Sequence, residues 1–250
     1  MDLSSKNLGI IPARAGSKGI PNKNLMKVGS KTLIEHAIYA GQNSQLLNDI
    51  IVTSDHPDIL KIGNRWGIHA RKRPDSMATD ESPVVECLQD AVITMEEQKG
   101  GGFQYDNIIL LQVTSPIRTG LDIDNIINIM DENSDIEGVV SVCSSGVNHP
   151  THQYYLLEDN TKNVSLLQPY QTTGEKERRQ DIKDTYTRTG ALYSARRRCL
   201  MDESKMIVDI KASYIMPKKH WCNIDEPCLL YTSDAADEGL GVDLGGRRII

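Results

Sequence analysis

Residues 8–24 read Leu-Gly-Ile-Ile-Pro-Ala-Arg-Ala-Gly-Ser-Lys-Gly-Ile-Pro-Asn-Lys-Asn. An apolar run, Leu8 to Ile11, opens into a loop carrying Gly16, Ser17, Gly19 and the cations Arg14, Lys18 and Lys23. Small residues let the backbone approach a ligand closely. Exposed N–H groups and cations together neutralise phosphate oxygens, so the expected ligand is a triphosphate. The glycine spacing is neither that of a Walker loop nor that of Gly-x-Gly-x-x-Gly. A second group, Gln112, Thr114, Ser115 and Arg118, follows the most apolar segment of the chain with four hydrogen-bonding side chains. A third is Arg73-Pro74 followed by Asp80 and Ser82. Ser82-Pro83 is an N-cap and first-turn signal, and a helix N-terminus beside a phosphate or a pyrimidine is favourable. His149, His152 and His220 lack the spacing of a zinc signature.

These groups are far apart in the chain and need a scaffold that gathers them. Apolar strand patterns and amphipathic helix patterns alternate through the first 143 residues. Strands are expected at 8–11, 49–53, 107–112 and 138–143. Helices are expected at 31–42, 57–66, from 83 to about 95, and 121–130, with a surface loop at 100–102. Short continuous apolar strands alternating with helices mean a mostly parallel sheet covered on both faces. Ligands of such sheets bind outside the carboxyl ends of the strands, where the segments after Ile11, Thr53 and Gln112 all lie. From about 147 to 187 the pattern gives way to a polar stretch rich in Tyr, Gln, Arg and Lys, which reads as a lobe. Strand-like runs return at 190–194, 213–216 and 221–224.

The chain has 250 residues, 39% hydrophobic and 25% charged, which suits one large domain with a buried core. A net charge of −6 argues against a general nucleic-acid binder, while a local cationic pocket inside an acidic protein suits a small anionic substrate. Cys87, Cys143, Cys199, Cys222 and Cys228 are scattered and odd in number, which points to reduced thiols and a cytoplasmic protein. No secretory segment and no apolar run of membrane-spanning length is read.

The opening string resembles the signature of the CMP-sialic acid synthetases, the acylneuraminate cytidylyltransferase family: Ile-Pro-Ala-Arg-x-Gly-Ser-Lys-Gly-x-Pro-x-Lys-Asn, matched here at every fixed position. The segment 110–118 is similar to the family's Leu-Leu-Gln-Pro-Thr-Ser-Pro-Leu-Arg block, with Val113 for proline. Arg73-Pro74 with Asp80 and Ser82 resembles its Arg-Pro…Ala-x-Asp-x-x-Ser segment. Arg178-Arg179-Gln180-Asp181 and 186–193 resemble Arg-Arg-Gln-Asp…Tyr-Arg-x-Asn-Gly-Ala-Ile-Tyr, with Thr189 where asparagine is usual. Asn223-Ile224-Asp225 stands where the family carries Asp-Ile-Asp. The resemblance covers about residues 8–227.

The resemblance implies a three-layer α/β/α nucleotide-diphospho-sugar transferase-like fold with a mostly parallel sheet and a small dimerisation lobe at about 147–187. It implies that Ala13, Arg14, Gly16, Ser17, Lys18, Lys23, Asn24, Arg73, Asp80 and Ser82 handle CTP, with Lys18 and Arg14 stabilising the departing pyrophosphate. Gln112, Thr114, Ser115, Arg118, Arg188 and Gly190 would form the sugar site, Arg188 offering a planar fork to the sugar carboxylate. Asp225, with Asn223, would hold Mg²⁺, which accepts hard oxygen ligands and keeps several waters. Asn223 is a departure: an amide can coordinate a metal but can neither act as a base nor carry charge. The expected reaction joins CTP and a sialic acid-type nonulosonic acid, giving a CMP-sugar and pyrophosphate, in a homodimer. The alternatives are legionaminic or pseudaminic acid, a phosphorylated sugar, or CTP binding without catalysis. Residues 228–250 depart from the family, with glycines at 239, 241, 245 and 246 and no helical period, and read as a non-native extension.

Overall fold

The structure is a computed structural model, and it describes residues 5–16, 21–77, 82–159, 164–170 and 183–224. In chain order the elements are β1 (Asn7–Pro12), β2 (Lys27–Val28), β3 (Lys31–Thr32), α1 (Leu33–Gln42), β4 (Asp49–Ser54), α2 (Pro57–Arg65), β5 (His69–Lys72) and α3 (Val84–Lys99). They continue with β6 (Asn107–Leu111), α4 (Gly120–Glu132), β7 (Gly138–Ser144), β8 (Tyr154–Asp159), β9 (Val164–Pro169), β10 (Tyr186–Arg196), α5 (Arg197–Met201) and β11 (Lys211–Ile215).

Seven strands form the central sheet in the order β11-β7-β10-β6-β1-β4-β5. Every pair is parallel except those made by β10, which runs antiparallel to both β6 and β7. Successive side chains of a strand point to opposite faces, and the two buried clusters follow that alternation. Ile11, Ile109 and Leu111 pack with α1 and α4 on one face. Leu8, Ile10, Ile108 and Leu110 pack with α3 and α5 on the other. Two-sided burial explains why β1 and β6 read as continuous apolar runs. The three layers agree with the expected α/β/α class.

Two helix starts matter for the site. Thr32 and Glu35 form a reciprocal capping box at α1, and Thr119 and Asp122 form another at α4. Gly120, the first residue of α4, lies against the end of α1, where a Cβ would overlap the Asn43 carbonyl. Only glycine lets these two ends meet.

Several expectations are corrected. Residues 31 and 32 pair with β2 rather than opening a helix, because Thr32 is the cap. Ser82 is not the cap of α3: Pro83 holds that position in extended conformation, and the Ser82 hydroxyl donates to the Ser76 carbonyl at 3.0 Å. Residues 221–224 form no strand; the Ile224 N–H donates to the Thr114 carbonyl instead. Strand β5 and helix α5 were not expected. In the 147–187 region the described residues include short turns and an antiparallel β8–β9 hairpin outside the main sheet, while Tyr186 and Thr187 already belong to β10 of that sheet. Residues 178–181 and the 228–250 tail lie outside the described residues. No helix of the described residues is long and apolar enough to cross a membrane.

Candidate active site

A cavity of about 360 Å³ opens beyond the carboxyl ends of β1 and β6. Its first wall is the loop after β1, represented by Arg14, Gly16, Lys23 and Asn24. The sequence builds this loop by pinning its ends. The Ala13 N–H donates to the Thr53 carbonyl at 3.0 Å, which carries β1 one residue further along β4. The Ala15 N–H donates to the Asp55 carboxylate at 2.7 Å. The Asn24 amide donates to the Arg14 carbonyl at 2.9 Å, fixing the far side of the loop to its start. Asn22, at φ 53°, makes the turn that brings it there. Ala13 is 1% exposed and does not line the cavity.

The second wall holds Arg73 and the start of α3, with Ser82, Pro83 and Val84. Arg73 is 6% exposed. Its backbone N–H donates to Ser54, and its Nη2 donates to the Thr53 carbonyl at 3.2 Å, leaving Nε without a hydrogen-bond partner among the described residues. Among the described residues a single carbonyl holds this buried guanidinium, and an anion in the cavity would offset its charge. Ser82, Pro83 and Val84 bring the N-terminus of α3 to the cavity, where its dipole favours an anion.

The third wall is the end of β6, with Gln112, Val113 and Thr114. The Thr114 carbonyl accepts the Ile224 N–H at 2.8 Å, which lays residues 221–224 against this wall. Gly190 sits at φ 74° between them. A Cβ there would stand 3.7 Å from Asn223 Nδ2 and 3.9 Å from Gln112 Oε1, so the two amides flank the same glycine. Gln112, Gly190 and Asn223 therefore come together.

Other expected sugar contacts are placed differently. Arg118 is 3% exposed and does not line this cavity. Its Nη1 donates to the Gln112 carbonyl at 2.9 Å and the Ala191 carbonyl at 2.8 Å. Burial pushes the guanidinium down to about 10, against the pull of nearby Asp122. Ser115 is buried behind the wall, its hydroxyl without a partner among the described residues. Arg188 is exposed near the start of β10 and is not among the lining residues. Ser17, Lys18, Asp80 and Asp225 lie outside the described residues.

The motifs did not reveal Asp55 or Asp122, and gave His220 no role beyond that of a surface or pocket histidine. Asp55 follows the Val-Thr-Ser end of β4 at the ligand-binding edge, which was its available signal. Asp122 was legible as the third residue after Thr119 in a capping box. His220 had no local signal. Among the described residues, Gln112 Oε1 and Asn223 Nδ2 flank Gly190 while Asn223 Oδ1 is buried; the Gln112 oxygen is a hard donor of the kind magnesium accepts. The one described cluster of potential metal ligands, Glu137, Cys199 and Glu203, is bridged by Arg198, at 2.9 Å to Glu137 and 3.4 Å to Glu203. Its carboxylates are already neutralised.

Residues 8–216 match the sequence model of a family described as Cytidylyltransferase. The N-acylneuraminate cytidylyltransferase of Escherichia coli O18:K1:H7 is 29% identical over 90% of this chain, which spans about half the length of that relative. The pseudaminic acid cytidylyltransferase of Campylobacter jejuni serotype O:2 is 24% identical over 88% of this chain and 91% of its own. Among solved structures, the CMP:2-keto-3-deoxy-manno-octonic acid synthetase complexed with CTP superposes with a TM-score of 0.67 at 17% identity, covering 94% of this chain and all of that one. At that identity the likeness concerns the fold. The match of the family model across the whole sheet establishes that the chain belongs to the cytidylyltransferase family of nucleotidyltransferases.

Proposed function

We propose that this protein transfers the cytidylyl group of CTP to a nonulosonic acid and releases pyrophosphate. The observation that carries the reading is a single cavity walled by Arg14, Lys23 and Arg73 on the phosphate side and by Gln112 and Thr114 on the other. The sugar's anomeric hydroxyl oxygen forms a bond to the α-phosphorus, the bond from that phosphorus to the β-phosphate bridging oxygen breaks, and the hydroxyl proton is released. Arg14, Lys18 and Lys23 take up the charge that grows on pyrophosphate, as positioning and charge neutralisation dominate such transfers. Arg73 and the α3 N-terminus orient the nucleotide. Gln112 and Thr114 hold the sugar, and Arg188 is the cation proposed for its carboxylate. Asn223 and Asp225 would hold Mg²⁺, which neutralises phosphate oxygens when bound. Asn223 cannot take the hydroxyl proton, so Asp225 or solvent receives it.

The acceptor is an α-keto acid sugar of the sialic, pseudaminic or legionaminic type. Relatives named for the first two appear at similar identity. A CMP-N,N'-diacetyllegionaminic acid synthase of Legionella pneumophila is 35% identical over 44% of this chain. Tyr154, Tyr155, Leu156, Leu157 and Leu167 of the β8–β9 hairpin are exposed, which favours a homodimer built on this hairpin. The four described cysteines are free thiols, in keeping with a CTP-consuming step in the cytoplasm. The test is pyrophosphate release from CTP and Mg²⁺ against a panel of nonulosonic acids. Release with one member identifies the acceptor. Tight CTP binding with no release under any member would replace the enzyme with a nucleotide-binding protein.

A further inference from the structure

Four segments that frame the acceptor end of the site meet on two buried charges behind it. Arg118 ties the Gln112 carbonyl to that of Ala191, next to Gly190. Four residues later stands Asp122, 1% exposed. One of its carboxylate oxygens accepts the Thr119 N–H at 2.8 Å and the Thr119 hydroxyl at 2.7 Å. Those bonds complete the cap of α4. The other accepts the Tyr214 hydroxyl at 2.7 Å. His220 Nδ1 stands against both oxygens, at 3.1 and 3.0 Å. Burial alone would raise the Asp122 carboxyl, but the bonds from Tyr214, Thr119 and His220 outweigh it and hold it below its ordinary value.

A helix cap needs only the first of these oxygens. The second spends a buried charge on β11 and on the turn at 218–220. That turn leads directly to Asn223, and the next residue, Ile224, is bonded to Thr114. The segment between His220 and Ile224 is thus fixed at both ends, and its middle presents Asn223 beside Gln112.

We propose that Asp122 and His220 are positioning residues that set Asn223 against Gln112 and so align the acceptor and metal end of the cavity. The inference rests on the function proposed above. His220→Leu removes the donor while filling similar space. His220→Asn returns an amide N–H to the place of Nδ1. Asp122 itself is left intact, because its loss would strip the cap of α4 and isolate Arg118.

Each variant of the full chain is assayed for pyrophosphate release and for Mn²⁺ binding by calorimetry in the presence of CTP and without acceptor. In His220→Leu, kcat/KM for the acceptor and the Mn²⁺ affinity should each fall by about tenfold, the loss typical of outer partners that orient ligating groups. The KM for CTP should stay close to that of the parent, and His220→Asn should recover most of both losses. Should leucine lower the melting midpoint, His220→Gln, whose amide sits at the Nε2 position, is expected to show the same losses. Parent-like Mn²⁺ affinity and acceptor kinetics in His220→Leu overturn the inference and leave the proposed function standing. Equal impairment of the leucine and asparagine variants also overturns it. Failure of the parent protein to bind CTP overturns the function and the inference with it.

Discussion

Replacing Gly190 by alanine tests whether the acceptor end depends on one strained turn. Gly190 has φ 74°, and the register of β10 on β7 shifts between Arg188 and Tyr193 around it. Steric room is not the obstacle, because the nearest atoms to a Cβ would be at 3.7 and 3.9 Å, ordinary contact distance. The cost is conformational: an L-residue in the left-handed region loses roughly 1–2 kcal/mol. For a chain of this size that lowers the melting midpoint by about 2–8 °C. Relief would require rotating the 189–191 backbone, which pulls the Ala191 carbonyl away from Arg118 and disturbs Gln112 and Asn223. The alanine variant should therefore lose activity toward the acceptor, with kcat/KM down by about tenfold or 1.4 kcal/mol, while its KM for CTP changes little. Gly16→Ala is the control. Its backbone is outside the left-handed region and a Cβ there meets nothing within 4 Å among the described residues, so stability should move by less than about 0.5 kcal/mol. Gly16 lines the cavity, so its alanine variant should instead raise the KM for CTP. Calorimetric melting and two-substrate kinetics read both. A Gly190→Ala protein that melts with the parent, or that is impaired only for CTP, would refute the reasoning.

Arg73→Met should raise the KM for CTP by about 10–100-fold, the worth of a charge-assisted hydrogen bond of roughly 1.5–3 kcal/mol; steady-state kinetics with CTP varied checks it, and an unchanged KM removes Arg73 from the nucleotide wall. Asp122 has a carboxyl held below its ordinary value of 3.8 in the folded protein. The folded state then binds fewer protons than the unfolded one, so this stabilisation is complete above the ordinary value and is lost as pH falls through the folded one. The stability difference between the parent and Asp122→Asn should be flat down to about pH 5 and narrow below it, as read by urea titrations across pH. A difference that widens on acidification contradicts the assignment. On the β8–β9 hairpin, Leu156 is 64% and Leu167 63% exposed. The double change Leu156→Ser, Leu167→Ser should turn a dimer into a monomer in sedimentation velocity, whereas a monomeric parent at micromolar concentration would rule that surface out.

What the sequence disclosed was decided by local physics. Leu8–Ile11 and the 107–111 run are buried on both faces, so they stand out as unbroken apolar strings whatever their neighbours are. The glycine-flanked loop needed no distant partner to show its cations. Strand β5, His-Ala-Arg-Lys, carries no such pattern. It exists because it pairs with β4 and because Arg71 makes a bidentate bond to Asp90 of α3, at 3.0 and 2.9 Å. Arg118 shows the same limit at the site. Its neighbours in the chain suggest a pocket residue, but its direction is set by the Ala191 carbonyl, 73 residues away, on a strand whose antiparallel insertion between β6 and β7 no local signal announces. Residues 221–224 looked like a strand because three of the four, Trp221, Cys222 and Ile224, are apolar. Among the described residues the segment pairs with no strand, and a hydrogen bond from the Ile224 N–H to the Thr114 carbonyl fixes it instead. That displacement has a functional consequence. A strand in the sheet would carry Asn223 at a fixed register, whereas a segment held by His220 at one end and Ile224 at the other sits where those two bonds put it. Asn223, where the resemblance leads one to expect an aspartate, thus falls on a segment whose geometry depends on side chains rather than on the sheet.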